Sequence, residues 1–148
     1  MRLLRHLELV TSEMAQLGLL SRESRHQVVQ LATREAQQAV ADRDALAKLL
    51  LVFLRAMRDG LVHEPTHYLR GEGNVLALHP ESLFEAVTGA HPDLPGPTEI
   101  RRLFRVGQKL VPEVILGSQR VLFGAGIGRR RGVLLSEPHA HALALRAK

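Results

Sequence analysis

Two groups of residues in this 148-residue chain have types and spacings that could do chemistry. The string from His63 to His67 reads His-Glu-Pro-Thr-His, which matches His-Glu-x-x-His. On a helix, that spacing lets both histidines hold zinc while Glu64 acts as the general base of a peptidase. Pro65 inside the string and Gly60 just before it argue against a helix. We therefore interpret the string as a polar loop, and a zinc peptidase is the alternative.

The second group is a set of arginines in the last third of the chain. Residues 1–93 contain ten Lys or Arg and twelve Asp or Glu, a net charge of −2, whereas residues 94–148 contain ten and three, a net charge of +7. Guanidinium groups bind phosphate oxygens with paired hydrogen bonds and enter narrow minor grooves of DNA. The charge distribution predicts a surface for a polyanion, and the alternative is a solvated face that only keeps the protein in solution.

The composition excludes several other classes of function. The chain has no cysteine, so it has no disulfide, no cysteine zinc site and no thiol nucleophile. Aromatic residues are 3% of the chain, which argues against binding single strands by base stacking. We find no phosphate-binding loop of the Gly-x-x-x-x-Gly-Lys-Ser/Thr type and no Gly-x-Ser-x-Gly nucleophile motif. These absences favour a binding protein over an enzyme, and no cofactor is expected.

No segment predicts a membrane span or a secretory signal. The longest apolar run, residues 49–54, is far shorter than the roughly 20 residues that a span requires. The charged residues at the start of the chain do not leave room for a signal sequence. We expect a cytoplasmic protein with no membrane partner.

The first half of the chain has the apolar periodicity of helices. Predicted helices cover residues 2–20, residues 22–40, and a third segment that Asp42 or Asp44 caps and that ends at Gly60. The third segment is apolar on most sides, which is typical of a helix at the centre of its domain. Residues 61–74 are predicted to be a loop or a short extended segment.

The second half mixes strands and helices. Residues 74–78 predict a strand, His79 to Ser82 open a helix that ends at Thr88-Gly89, and the prolines of residues 90–97 require a turn. Residues 98–106 predict a helix that ends at Gly107. Its three arginines are expected to share the face opposite its apolar residues. The rest predicts an antiparallel meander of two or three strands with glycine turns, followed by a short helix or a frayed tail.

The order strand, helix, turn, helix and glycine-rich hairpin resembles a winged helix-turn-helix domain. More narrowly, residues 73–84 and 94–104 are similar to the C-terminal winged-helix module of primase-helicase proteins from plasmids and phages. The resemblance covers about residues 45–136. Two features depart from it: residues 108–117 form a long connection before the hairpin, and the chain lacks any ATPase or primase motif.

From the residues and the resemblance together we predict a fold, a partner and a set of contact residues. The fold is α+β and mostly helical, with a helical bundle at 1–60 packed on a winged-helix module at 61–136, and a tail at 137–148. The partner is double-stranded DNA, in replication or transcription control of a mobile element. The helix of residues 98–106 would be the recognition helix, and residues 129–131 would form the tip of the wing. The predicted contact residues are Thr98, Arg101, Arg102, Arg105, Lys109, Arg120, Arg129, Arg130 and Arg131.

A second hypothesis belongs to a different class. Because a winged helix can also serve as a scaffold, the chain could be a protein-interaction or dimerisation module. The N-terminal helices would then form a homodimer or dock a helicase or another replication protein. A dimer would also suit paired half-sites on DNA.

Overall fold

The computed structural model describes residues 2–18, 21–124 and 126–147. Met1, Leu19, Leu20, Ala125 and Lys148, which belong to predicted segments, lie outside the described residues. The chain divides into two compact units, Met1–Ala41 and Asp42–Lys148. This division differs from the predicted limits at residues 60 and 136, because the residues on both sides of the predicted module contribute to the core of the second unit.

The N-terminal half contains two helices, where the sequence predicts three. Helix α1 is Arg2–Gln16 and helix α2 is Arg22–Arg58, an uninterrupted helix of 37 residues. The prediction of a break near residue 41 is wrong. The stretch between the two predicted helices has no glycine or proline, and Asp42 is a buried residue inside the helix and not its cap. The predicted stop at Gly60 is confirmed within two residues, and Gly60 has a φ of +73°.

The second unit continues with short elements. Strand β1 is Tyr68–Arg70, a 3₁₀ turn covers Glu72–Asn74, strand β2 is Val75–Leu78, and helix α3 is Pro80–Val87. Helix α4 is Pro97–Leu110, which is longer than predicted. The expected long connection to the hairpin is therefore wrong, since only residues 111–114 separate α4 from the next strand.

The chain ends with a hairpin and a helix. Strands β3, Ile115–Phe123, and β4, Gly128–Ser136, pair antiparallel and are followed by helix α5, Glu137–Leu145. The sheet has four antiparallel strands in the order β1-β2-β4-β3. A β-bulge interrupts the register between Ile115 and Gly117. The predicted meander is thus two long strands, and the fold class α+β with mostly helical elements is confirmed.

The core of the second unit lies between the sheet and its helices. Side chains from every helix of the unit meet those of β2, β3 and β4 there, including Phe53, Leu76, Leu103, Ile115, Leu135, Ala140 and Leu143. The C-terminal residues thus form part of the core. The predicted central role of residues 46–54 is confirmed, because most of their side chains are buried. No helix in the described ranges is both long enough and apolar enough to cross a bilayer.

Candidate nucleic-acid interface

Helix α4 has one buried face and one basic face. Its buried residues are Ile100, Leu103, Phe104 and Gly107. Burial of this face leaves Arg101, Arg105 and Gln108 together on another side, because their spacing of i, i+4 and i+7 is that of one helical stripe. Arg105 and Gln108 are exposed, and Arg101 has 57% of its side chain exposed.

Gly107 lies inside α4 and allows close packing. A Cβ atom at this position would be 2.7 Å from Cδ2 of Leu46 and 3.2 Å from Cγ1 of Ile115. The prediction that Gly107 ends the helix is therefore wrong. Glycine is required here because α2 and β3 approach the α4 backbone, and the helix continues to Leu110.

The hairpin directs its arginines to two opposite faces. Arg131 pairs with Arg120, Arg130 with Val121, and Arg129 with Leu122. Because residues opposite one another lie on the same face and neighbours along a strand alternate, Arg120, Arg129 and Arg131 share a face and Arg130 lies on the other. The first face also carries Leu135 and is the one that packs against the helices.

The predicted position of residues 129–131 at the tip of the hairpin is wrong. These residues belong to β4, and the described residues of the turn are Gly124, Gly126 and Ile127. Gly126 and Gly128 have φ values of +86° and +70°, so the glycines make the turn and the arginines lie on the strand.

A groove of about 550 Å³ separates α4 from the hairpin. Its residues come from the start of α3, from the exposed stripe of α4, and from the inner half of the hairpin: Pro80, Glu81, Arg101, Phe104, Arg105, Gln108, Ile115, Gly117, Ser118, Arg131 and Val133. Three of the nine predicted contact residues, Arg101, Arg105 and Arg131, therefore meet in one groove. Arg120 and Arg129 continue along the same hairpin face, beyond the residues that line the groove.

Glu81 is the one carboxylate among the groove residues. Nε of Arg101 donates to Oε1 of Glu81 at 3.0 Å, and Nη2 of Arg101 lies 2.9 Å from the same oxygen. Arg105 and Arg131 form no ion pair within the ranges that the structure describes. The groove therefore retains two guanidinium groups that no acidic side chain neutralises.

Arg102 does not lie in the groove. Its Nη1 and Nη2 donate to the two oxygens of Asp42 at 3.1 and 2.6 Å, and its Nε and Nη2 donate to Glu99 at 2.8 and 2.6 Å. The hydrogen bonds to Glu99 and Asp42 raise the pKa of Arg102, and the same contact lowers the pKa of Glu99. The prediction that Arg102 shares a face with Arg101 and Arg105 is wrong, since one residue along a helix turns the side chain by about 100°. Arg102 instead ties α4 to α2.

The remaining predicted contact residues are at the margins. Thr98 is exposed in the first turn of α4, and Lys109 is exposed in its last turn. Neither residue lines the groove. Arg130 lies on the opposite face of the sheet from Arg131, as the register requires.

His79 joins β2 to α3 beside the groove. Its Nδ1 accepts a hydrogen bond from the backbone N–H of Ser82 at 3.3 Å and so caps α3. Burial lowers the pKa of His79; nearby Glu81 opposes this shift, and Arg130 adds to it. Nε2 is buried 3.2 Å from Oε2 of Glu81, without the alignment of a hydrogen bond. The neutral ring therefore serves as a structural cap, with Nδ1 as its acceptor.

The His-Glu-x-x-His string does not form a helix. Residues 64–67 form a turn; the N–H of His63 donates to Nδ1 of His67, and the two rings lie 6.0 Å apart, edge to face. Oε1 of Glu64 accepts the backbone N–H of Arg70 at 2.7 Å, so it holds a loop in place. In the described part of the chain, no three side chains of metal-binding type cluster together. The geometry that a zinc peptidase needs is thus not formed by this string.

Sequence reasoning missed three polar residues of the groove: Glu81, Gln108 and Ser118. The i+3 spacing from Arg105 could have identified Gln108. Glu81 and Ser118 reach the groove only through tertiary packing, which no local spacing encodes. Comparison with family models, with curated proteins and with solved structures finds no match for this chain.

Proposed function

We propose that the second unit is a winged helix-turn-helix module that binds double-stranded DNA, and that the protein is a binding protein and not an enzyme. The order of its elements supports this arrangement. The end of α2 is followed by β2, then α3, α4 and the β3–β4 hairpin, and the three strands lie in the order β2-β4-β3. Strand β1 and helix α5 are additions to the pattern.

The observation that carries the proposal is the groove with Arg105 and Arg131 on its two sides. Both guanidinium groups lack an acidic partner among the described residues, although they face the same space. Guanidinium groups form paired hydrogen bonds with phosphate oxygens, and phosphate contacts dominate the affinity of proteins for DNA. A groove with cations on both walls suits a continuous anionic strand better than a small isolated anion.

The dimensions of a DNA duplex indicate how α4 and the hairpin, on the two sides of the groove, would bind it. The major groove is wide enough for a helix, and α4 presents its basic stripe in the manner of a recognition helix. One sugar-phosphate strand separates a major groove from the next minor groove. If α4 lies in the major groove, that strand occupies the space between Arg105 and Arg131, and the hairpin lies over the minor groove.

The test removes the two unpaired cations together. In Arg105→Ala/Arg131→Ala, the slope of log affinity against log salt concentration should fall by about 2, since each lost phosphate contact removes about 0.9. The measurement is a fluorescence anisotropy titration of a labelled duplex at several salt concentrations. Arg55→Ala/Arg130→Ala is the matched control, because it removes the same charge at exposed positions outside the groove. Equal effects of the two double variants would mean that the net charge matters and the groove does not.

The biological setting rests on the sequence resemblance alone. Because the chain is similar to modules of plasmid and phage primase-helicases, we propose replication or transcription control of a mobile element as the process. Titration of duplex, single-stranded and RNA probes side by side would separate this use from RNA binding.

A second candidate function is protein interaction or dimerisation through the first unit. Most of the large apolar side chains that are exposed in the described residues precede Ala41, including Leu9, Leu17 and Leu31 at 63%, 75% and 60% exposure. The concentration of these side chains in one unit supports an interaction surface there, since large exposed apolar patches mark sites of protein contact. Light scattering on the eluting protein would give its mass, and a monomer at all concentrations would argue against a homodimer.

A further inference from the structure

The outer half of the hairpin carries an exposed leucine among arginines. Leu122 has 66% of its surface exposed and lies directly opposite Arg129. The neighbouring pair on the same face is Arg120 with Arg131. A single exposed leucine is ordinary on a protein surface. Its position on the hairpin face that continues from the basic groove is what calls for an explanation.

The pair of Arg120 and Arg131 lowers the stability of the hairpin in the free protein. Like charges directly opposite each other on a sheet repel, and the ion pairs of the described residues include neither arginine. An anion between or above the two guanidinium groups would remove this repulsion. The face therefore suits a site of strong negative potential, which a narrow minor groove provides.

The hairpin is anchored on its other face. Phe123 is 2% exposed, and its ring lies 5.2 Å from the ring of His79. The backbone N–H of Gly124 donates to the carbonyl oxygen of Pro65 at 2.9 Å. Leu122 is therefore next to two fixed residues, and binding requires little ordering of the hairpin.

We propose that Leu122 is an apolar wedge that the hairpin inserts between base steps of the minor groove, which kinks the duplex. This inference rests on the proposed function, because it places the hairpin over the minor groove next to α4. Apolar side chains that enter the minor groove unstack base steps and bend DNA by roughly 20–90°. The arginines on the same face then hold the groove while Leu122 enters it.

The test measures bending separately from binding. A duplex of about 30 base pairs carries a donor and an acceptor dye at its ends, and energy transfer is measured with saturating protein. Wild type should shorten the end-to-end distance, and Leu122→Ala should lose at least about half of the bend while it still binds. Leu122→Met, which retains a large apolar group, should keep the bend. Leu116→Ala is the matched control, since it truncates an exposed leucine of the same strand at the bulge.

The outcomes separate this inference from the proposed function. If wild type and Leu122→Ala bind equally and bend the duplex equally, or if wild type binds without bending it, the wedge is wrong while DNA binding stands. If wild type does not bind duplex at low salt, both proposals fail. Loss of the bend in Leu122→Ala, together with wild-type bending by the other two variants, supports the wedge.

Discussion

The close contact at Gly107 predicts that the substitution Gly107→Ala strains the core of the second unit. The new Cβ would lie 2.7 Å from Cδ2 of Leu46 and 3.2 Å from Cγ1 of Ile115, whereas carbon atoms pack at roughly 3.5–4.0 Å. Both neighbours are core residues at 1% and 2% exposure, so a shift of either side chain would disturb its packing in the core. The variant must therefore strain the core or move α4 away from α2 and β3.

The expected magnitude follows from two opposing effects. Overpacking a core costs about 1–3 kcal/mol, and alanine in place of glycine returns about 1 kcal/mol of helix propensity. The free energy of unfolding should thus fall by up to about 2 kcal/mol, which lowers the melting temperature by up to roughly 8–16 °C for a unit of this size. Displacement of α4 would also move Arg105 in the groove, so the proposed binding of duplex DNA should weaken together with stability.

The assay is thermal and urea denaturation followed by circular dichroism. Gly89→Ala is the control, because a Cβ at that position meets nothing within 4 Å, and its effect should stay within about 0.5 kcal/mol. Leu46→Val should partly rescue Gly107→Ala, with a coupling of at least about 0.5 kcal/mol, since it shortens the side chain in the contact. A Gly107→Ala protein that is about 1 kcal/mol more stable than wild type, as helix propensity alone predicts, would refute the close packing on which the position of α4 depends.

Two further predictions concern Arg102 and His79. Arg102→Ala should lower the melting temperature, because Arg102 binds the buried Asp42. It should leave the proposed binding of duplex DNA unchanged, because Arg102 lies outside the groove. Weaker DNA binding by a variant that remains folded would contradict this assignment and place Arg102 at the interface. Burial lowers the pKa of His79, so as the pH falls the unfolded chain binds a proton at this residue before the folded chain does. The free energy of unfolding should therefore keep its full contribution from His79 above about pH 6.5 and lose it below that pH. His79→Asn keeps a cap for α3 and should flatten that part of the curve of unfolding free energy against pH, whereas an unchanged curve would assign the decline to other groups.

Local signals predicted the short elements well. The sequence from His79 to Ser82 and the pair Thr88-Gly89 located the limits of α3 within a residue, because caps and proline act through their immediate neighbours. The spacing of Arg101 and Arg105 likewise predicted the basic side of the groove that α4 forms. These features depend only on the geometry of one helix.

The errors came from contacts between distant residues. Asp42 has the residue type of a helix cap, yet it binds Arg102, sixty residues later, inside a continuous helix. Gly107 has the residue type of a helix end, yet α2 and β3 require a glycine there. Residue type and spacing could not distinguish these uses, because tertiary packing overrides local preference.

The bulge between Ile115 and Gly117 determines which side chains of the hairpin lie on each face of the sheet. Before it, the odd-numbered Ile115 lies on the face of the sheet that packs against the helices; after it, the even-numbered Ser118, Arg120 and Leu122 lie on that same face. Side chains alternate with a period of two, so gaining or losing one residue after the bulge would turn Arg120 and Leu122 away from α4. The number of residues between the bulge and Arg120 can therefore change only by an even number if Arg120 and Leu122 are to stay on the face that continues from the groove. An insertion of two residues would lengthen the hairpin and keep those side chains on that face.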